Sequence, residues 1–188
     1  DSNYADLGVF IDRLKSKVPA NSIITNGAGN YTGWVQRYWQ YVGSGTQLAP
    51  TSGAMGYGVP SGVAAGLIYP NQQVISFSGD GCFLMNGQEL ATAMQYNVKV
   101  LFVVVNNGMY GTIRLHQEKS YPGRVYGTEL SNPDFCMLAR SFGLHSELVS
   151  VDRDIDGALD RALTVDSSSL IEIKVDPDNI TTRLSLPI

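Results

Sequence analysis

The chain has 188 residues, of which 44% are hydrophobic and 16% are charged, and its formal net charge is −4. This composition excludes intrinsic disorder, and the length favours a single domain over residues 1–188. No basic cluster is present in the sequence, which argues against nucleic acid as a partner. No apolar run approaches the roughly 20 residues that a membrane-spanning helix needs, so we expect no membrane association.

The low charge and the cysteine content bear on partners and location. A charged share well below the usual level of about 25% predicts a surface partly covered by a partner, and we expect a homo-oligomer. The two cysteines, Cys82 and Cys136, lack the spacing of a disulfide framework or a zinc site, which favours a cytoplasmic location. The chain begins with Asp rather than Met, so we expect its function to be shared with further sequence.

Helices and strands are predicted to alternate along the chain. Strands are predicted at residues 22–25, 73–77, 99–105, 145–151 and 170–175, and helices at residues 3–17, 30–41, 62–68, 110–116, 132–143 and 155–163. Ser2 is the expected cap of the first helix. Asn86 and Glu89 are the expected capping box of a further helix. Residues 43–58 are expected to form a glycine-rich loop. The alternation predicts an α/β fold: a doubly wound, mostly parallel sheet of five or six strands with helices on both faces.

Polar residues follow two of the predicted strands. Gly79-Asp80-Gly81 ends one strand, and Asn106-Asn107 ends another. Ligands bind at the carboxyl ends of strands in open α/β sheets. The Asp80 carboxylate, the Asn107 amide oxygen and a carbonyl in the next turn are ligands that Mg²⁺ accepts, and a diphosphate and water would complete its octahedral shell.

The distribution of acidic residues supports an anion site and weakens a rival. No Asp or Glu occurs from Arg13 through Gly79, so this segment contributes no carboxylate that would repel a phosphate. A dinucleotide-binding domain would need a GxGxxG motif followed by an acidic residue. The spacing of Gly27, Gly29 and Gly33 does not match that motif. Hydride transfer is therefore disfavoured.

The two strand-end motifs resemble the signature of the thiamine diphosphate-dependent enzymes, which begins Gly-Asp-Gly and closes with Asn-Asn after a fixed interval. The similarity covers nearly the whole chain and is to the acetolactate synthase and 2-oxoacid decarboxylase branch. It implies that Asp80, Asn107 and the backbone carbonyl of Met109 bind Mg²⁺.

Two further segments are similar to cofactor loops of this family. Residues 51–60 resemble the segment that holds the aminopyrimidine, with Met55 as the apolar support and the Gly53 carbonyl as the acceptor. Residues 27–31 are similar to the first diphosphate loop, where related synthases often carry Gln-His instead of Asn-Tyr. The cofactor-binding residues that the resemblance implies are Gly29, Asn30, Tyr31, Gly53, Ala54, Met55, Gly79, Asp80, Gly81, Cys82, Asn107, Met109, Tyr110 and Gly111. We expect Cys82 to be a small buried residue beside the phosphates; a reactive thiol is the alternative.

The resemblance also implies an activity on a small 2-oxo acid, which loses carbon dioxide before its acyl part is released or transferred. Substrate-side candidates are Tyr110, Arg114 and His116. Pyruvate decarboxylase-like members carry a catalytic glutamate shortly after the Asn-Asn turn. This chain has Thr-Ile-Arg at residues 112–114, which favours carboligation over simple aldehyde release.

Family members activate the cofactor with a glutamate from a separate pyrimidine-binding domain, and no segment here resembles that domain. We therefore expect the chain to be inactive without such a domain, supplied by the same parent chain or by a second subunit. Two alternatives remain open. The chain is a natural cofactor-binding subunit of a split two-chain decarboxylase, or it is a cofactor-binding module without catalysis.

Overall fold

The computed structural model describes residues 3–186. The strands in this range form one six-stranded sheet. The strands are β1 (Ile23–Asn26), β2 (Gln47–Leu48), β3 (Val74–Gly79), β4 (Val100–Asn106), β5 (His145–Val149) and β6 (Ser169–Lys174). Their order across the sheet is β2-β1-β3-β4-β6-β5, and every neighbouring pair is parallel. The predicted parallel α/β sheet is confirmed.

Helices cover both faces of this sheet. They are α1 (Leu7–Lys17), α2 (Thr32–Tyr38), α3 (Gly58–Ile68), α4 (Asp80–Asn86), α5 (Leu90–Gln95), α6 (Gly111–Ser120), α7 (Phe135–Ser141) and α8 (Ile155–Thr164). Helices α1, α2 and α8 pack in the core of one face, whereas α3, α4, α5 and α7 pack in the core of the other. Within residues 3–186, no helix has the length and apolar character that crossing a bilayer requires.

Strand β4 shows how one apolar run serves two cores. Side chains alternate between the faces of a strand. Val100, Phe102 and Val104 pack with α3 and α7 on one face, and Leu101 and Val103 pack with α1 and α8 on the other. All seven residues of the strand are buried. A continuous β-branched run is therefore what a central strand with helices on both faces requires.

The structure corrects the predicted start of the first helix and the proposed capping box. Helix α1 begins at Leu7, because the Asp6 carboxylate accepts from the N–H groups of Gly8 and Val9; the predicted cap, Ser2, lies outside the described residues. The capping box is wrong. Asn86 donates instead to the Gly56 carbonyl at 3.0 Å, and Glu89 accepts from the Thr92 hydroxyl at 2.6 Å.

Two other elements differ from their predictions. The glycine-rich segment at residues 43–58 contains the short edge strand β2, which pairs with β1. Helix α7 begins at Phe135 rather than at Asn132, because the Asp134 side chain caps it by accepting from the Met137 N–H at 2.7 Å. Gly143 follows this helix with a φ of +90°, a conformation that glycine adopts readily.

The strand order predicts a crevice at the carboxyl ends of the strands. The connection from β1 leads outward to β2, and the connection from β2 returns to β3 on the other side of β1. Helices α2 and α3 in these two connections lie on opposite faces of the sheet. Ligands of doubly wound sheets bind where the strand order reverses in this way. The carboxyl ends of β1 and β3 therefore mark the expected site.

Close packing of α3 on the sheet gives a stability prediction. A Cβ atom at Gly66 would overlap Cγ1 of buried Val98. Overpacking costs roughly 1–3 kcal/mol, and the better helix propensity of Ala offsets about 1. Gly66→Ala is expected to lower the free energy of unfolding by up to about 2 kcal/mol in urea denaturation.

Gly33→Ala is the matched control, because Gly33 is also helical and the nearest atom to its added Cβ is 3.9 Å away. This substitution is expected to raise the free energy of unfolding by about 0.5 kcal/mol. Equal effects of the two substitutions would contradict the packing of α3 described above.

Candidate functional site

A cavity of about 300 Å³ opens at the carboxyl ends of β1, β3 and β4. Segments that follow these strands form its walls, together with the segments after β2 and β6 and residues 5–7 at the start of α1. The residues of the sequence-derived cofactor set that line it are Gly29, Asn30, Tyr31, Gly53, Met55, Gly79, Asp80, Gly81, Cys82, Asn107, Met109, Tyr110 and Gly111. Residues far apart in the sequence thus meet around one space.

Three of the proposed site residues do not line this cavity. Ala54 is exposed beside it, between two residues that do line it. Arg114 is held by the Glu118 carboxylate at 2.8 Å, one turn further along α6. His116 is exposed on the same helix. Of the three substrate-side candidates, only Tyr110 reaches the cavity.

Asp80 is the buried charge of the site, with 2% of its surface exposed. Its Oδ1 accepts from the Gly81 N–H at 2.9 Å. Its Oδ2 accepts from the Gly108 N–H at 2.8 Å and from the Asn132 side-chain amide at 2.7 Å. Burial raises the pKa of this carboxyl above its ordinary value, while the hydrogen bonds from Asn132, Gly81 and Gly108 act in the opposite direction.

The turn after β4 brings a second set of oxygens to the cavity. The Asn107 Oδ1 accepts from the Met109 N–H at 3.3 Å, and the Met109 carbonyl accepts from the Gly111 N–H at 3.0 Å. Each oxygen retains a lone pair. Gly108 adopts a φ of +72°, and its carbonyl accepts from the Leu130 N–H at 2.9 Å, which ties the turn to the following loop.

Asn30 lines the cavity and carries a buried amide donor without a partner among the described residues. Its Oδ1 accepts from the Thr112 hydroxyl at 2.9 Å, so its amide nitrogen points the other way. That Nδ2 atom is buried and has no hydrogen-bond partner among the described residues. A buried donor without a partner is costly unless a ligand accepts from it. The side chain therefore fits an anionic ligand such as a phosphate.

Tyr31 lines the cavity, and its hydroxyl already has partners within the protein. The hydroxyl donates to the Phe77 carbonyl at 3.3 Å and lies 3.8 Å from the Cys82 Sγ. Burial raises the pKa of this phenol well above its usual value, and so it stays neutral. A hydroxyl contact from Tyr31 to the cofactor is not supported by this geometry.

Cys82 joins two of the loops around the site. Its Sγ accepts from the Gly56 N–H at 3.2 Å, and only 2% of the residue is exposed. A Cβ at Gly27 would overlap the same sulfur, so the three segments meet with no spare volume. This burial agrees with the packing role expected for Cys82 and disfavours a reactive thiol.

Met55 is 36% exposed and lines the cavity. It belongs to neither of the two hydrophobic cores of the described residues. Exposed methionine beside a cavity is available to contact a ligand. Gly53, two residues earlier, has a φ of +66°, and its added Cβ would meet no atom within 4 Å. This segment is therefore open on the cavity side.

Sequence reasoning missed several residues of the site. Asn132 was interpreted only as part of a helix start, and its hydrogen bond to Asp80 links residues 52 positions apart. Cavity-lining residues outside the sequence-derived set include Asp6, Leu7, Trp34, Asp176, Asn179 and Ile180. They come from the start of α1 and the residue that caps it, from α2 and from the segment after β6. No local motif marks them, because only the fold brings them to the cavity.

The donor set of the cavity fits a divalent cation and a diphosphate. Among the ion pairs of the described residues, none involves Asp80. A buried carboxylate without a cationic neighbour is stabilised by a bound metal ion. The unpartnered Asn30 amide supplies a donor for the phosphate oxygens that such an ion would bring.

A second group of possible metal ligands lies elsewhere. The ligand atoms of Asp134, Cys136 and Glu172 are within 4.8 Å of one another. Each is already used by the protein: Asp134 caps α7, Cys136 donates to the Glu147 carbonyl, and Glu172 accepts from Asn106. Burial raises the pKa of the Cys136 thiol, which keeps it protonated. This group does not resemble a prepared metal site.

Comparison with known proteins identifies the family of this chain. The sequence profile of the thiamine pyrophosphate enzyme C-terminal TPP-binding domain matches residues 27–173. The acetolactate synthase isozyme 2 large subunit of Escherichia coli (strain K12) is 32% identical over 178 residues, which cover 94% of this chain and 32% of that protein. Benzoylformate decarboxylase of Pseudomonas aeruginosa is 33% identical over 145 residues, which cover 76% of this chain and 28% of that protein.

A solved structure shows the same fold. The thiamine diphosphate-dependent 4-hydroxybenzoylformate decarboxylase of Rhodococcus jostii RHA1 superimposes with a TM-score of 0.87 at 27% identity. The superposition covers 94% of this chain and 33% of that one. The chain spans about a third of the length of these relatives. The predicted family is therefore confirmed, and the chain belongs to the C-terminal, thiamine pyrophosphate-binding domain family of the thiamine pyrophosphate enzymes.

Proposed function

We propose that this domain binds thiamine diphosphate together with Mg²⁺ and serves an acetolactate synthase-like 2-oxoacid decarboxylase and carboligase. The observation that carries the proposal is the Asp80 carboxylate, which is 2% exposed, lacks a cationic partner among the described residues and borders the cavity. Mg²⁺ is bound in proteins by one or two carboxylates together with substrate phosphates.

The metal ligands from this chain are the Asp80 carboxylate, the Asn107 amide oxygen and the Met109 carbonyl. All three residues line the cavity, on the two neighbouring strand ends of β3 and β4. Three protein oxygens leave three positions of an octahedral shell for the diphosphate and water. Metal and cofactor therefore bind as a pair, because neither has enough ligands without the other.

The diphosphate is held by the chain segments around the metal. Asn30 donates from its unpartnered amide nitrogen, and Gly29, Gly81 and Gly111 let the backbone approach the anion. The ring of Tyr110 lies against Gly81, where a Cβ atom would overlap it. Close contact of backbone and aromatic ring excludes water from this side of the site.

Met55 and the Gly53 carbonyl face the ring end of the cofactor in this proposal. The side chain of Met55 supports the pyrimidine ring, and its partial exposure leaves a surface for that contact. When bound, thiamine diphosphate supplies a carbon nucleophile and an electron sink for the loss of carbon dioxide from a 2-oxo acid. The contribution of this chain is to bind and orient the cofactor.

A second domain supplies the activating carboxylate in this proposal. The acidic residues that line the cavity are Asp6, Asp80 and Asp176, and no glutamate of the described chain lines it. Asp6 caps α1, and Asp176 accepts from the Asp178 N–H at 2.9 Å. Because the carboxylates of Asp6 and Asp176 already have partners, we propose that the activating carboxylate comes from a different domain. We propose that residues 1–188 are one diphosphate-binding domain. It requires a pyrimidine-binding domain, from the same parent chain or a second subunit, and functions in a homo-oligomer.

We propose carboligation rather than release of a simple aldehyde, and the residues that follow the Asn106-Asn107 turn support this proposal. Residues 112–114 carry no carboxylate, the Thr112 hydroxyl donates to Asn30 at 2.9 Å, and Arg114 pairs with Glu118. This helix start therefore offers no general acid for releasing a simple aldehyde. The substrate class is a small 2-oxo acid.

The proposal predicts that Asp80→Ala removes joint binding of Mg²⁺ and thiamine diphosphate. The substitution deletes the charged ligand, so we expect the affinity for the pair to fall by more than about 100-fold in titration calorimetry. Asp12→Ala is the control, because Asp12 is an exposed acid of α1 whose side chain is 54% accessible. An unchanged affinity of Asp80→Ala for Mg²⁺ and thiamine diphosphate would contradict the assignment of Asp80 as a metal ligand.

The proposal also predicts that Met55→Ala impairs turnover more than stability. Because the side chain is 36% exposed, we expect the free energy of unfolding to change by no more than about 0.5 kcal/mol. Loss of the ring support is expected to lower kcat of the complete enzyme roughly 10- to 100-fold.

Met137→Ala is the matched control, since Met137 is 63% exposed on α7 and does not line the cavity. Both variants are compared by steady-state kinetics and urea denaturation. A loss of stability in Met55→Ala that accounts for all of its lost activity would assign Met55 to packing alone.

A further inference from the structure

We propose that Asn132 is a positioning residue for the metal-binding carboxylate of Asp80, an inference that rests on the proposed function. Asn132 lies in the loop before α7 and does not line the cavity. It acts through a chain of hydrogen bonds that runs from Lys174 through Glu172, Asn106 and Asn132 to Asp80.

The Asn132 amide nitrogen joins the two strand ends. It donates to Asp80 Oδ2 at 2.7 Å and to Asn106 Oδ1 at 3.0 Å, which uses both of its protons. The Oδ1 atom of Asn132 is buried and has no partner among the described residues. Rotating the amide by 180° would set that oxygen against two acceptors, so only one orientation is favourable.

The Lys174 end of this series of hydrogen bonds fixes the orientation of the Asn106 side chain. The Asn106 Nδ2 donates to Glu172 Oε1 at 2.7 Å, and its Oδ1 accepts from the Gly108 N–H at 3.1 Å. Glu172 is 3% exposed and pairs with the Lys174 ammonium at 2.6 Å. An ionised carboxylate accepts and cannot donate, so Asn106 must turn its oxygen toward Asn132. The direction of each hydrogen bond between Lys174 and Asp80 is thereby fixed.

The two carboxylate oxygens of Asp80 accept different numbers of hydrogen bonds. Oδ2 already accepts from the Gly108 N–H and the Asn132 amide, whereas Oδ1 accepts only from the Gly81 N–H. A carboxylate oxygen has about two lone-pair sites. We infer that Oδ2 holds the carboxylate in place and that Oδ1 is the metal ligand. Partners of this kind orient metal ligands in many sites, and their loss weakens metal binding about 10- to 100-fold.

The test measures Mg²⁺ affinity by calorimetry in the intact protein at saturating thiamine diphosphate. Asn132→Ala removes both donated bonds, and we expect a dissociation constant about 10- to 100-fold higher. Asn132→Asp keeps the shape but sets a carboxylate against Asp80, so we expect a larger loss. Ser131→Ala, at the exposed neighbouring position, is the control and is expected to bind like the unsubstituted protein.

A merely structural role predicts a different pattern. It would lower the unfolding temperature of the metal-free protein and leave the Mg²⁺ dissociation constant of the folded protein unchanged. Folded Asn132→Ala with the affinity of Ser131→Ala would overturn the inference. If Asn132→Ala does not fold, the Mg²⁺ affinity of Asn132→Ser is measured instead, because the serine hydroxyl keeps one donor. An intermediate affinity supports the inference, and an unchanged affinity overturns it.

The same titration separates this inference from the proposed function. If the unsubstituted protein takes up no Mg²⁺ with thiamine diphosphate, the proposed function fails, and the inference fails with it. If the unsubstituted protein binds both and the Asn132 variants bind equally well, only the inference fails.

Discussion

The burial of one carboxylate, Asp80, is the constraint on which the site depends. The residue sits where β3 ends and α4 begins, and its charge is compensated only by donated hydrogen bonds among the described residues. Burial disfavours the ionised form and raises the pKa of the Asp80 carboxyl, while the donated hydrogen bonds act in the opposite direction. Under the proposed function, a bound cation compensates this buried carboxylate, and the loops around it bind the diphosphate.

The sheet explains why the required groups meet. Three parallel strands end at the same edge, and their connections place glycine-rich or amide-rich turns side by side. The hydrogen bond from the Gly56 N–H to the Cys82 Sγ joins the segment between β2 and α3 to α4. The hydrogen bond from the Leu130 N–H to the Gly108 carbonyl joins the turn after β4 to the next loop. These links hold the site in shape from several directions. Preformed geometry of this kind lowers the entropy that ligand binding must overcome.

Much of the fold and the central site motifs could be predicted from the sequence, for identifiable physical reasons. The apolar run of β4 indicates a strand with helices on both faces, and the motifs at Asp80 and Asn107 lie at strand ends that the parallel topology brings together. Local patterns failed where tertiary contacts compete with them. Asn86 binds the Gly56 carbonyl instead of capping a helix, and the two-residue strand β2 has no periodicity to detect. Asn132 was missed because its role arises only from its contact with Asp80.

A crystal structure of the intact protein with thiamine diphosphate and Mn²⁺ in place of Mg²⁺, located by anomalous scattering, would show the metal ligands. The proposed site predicts one Mn²⁺ bound by Asp80 Oδ1, the Asn107 amide oxygen, the Met109 carbonyl and oxygens of the diphosphate, with Asn132 still donating to Asp80 Oδ2. A metal ion held instead by Asp134, Cys136 and Glu172, or a diphosphate outside the cavity at the ends of β1, β3 and β4, would contradict it.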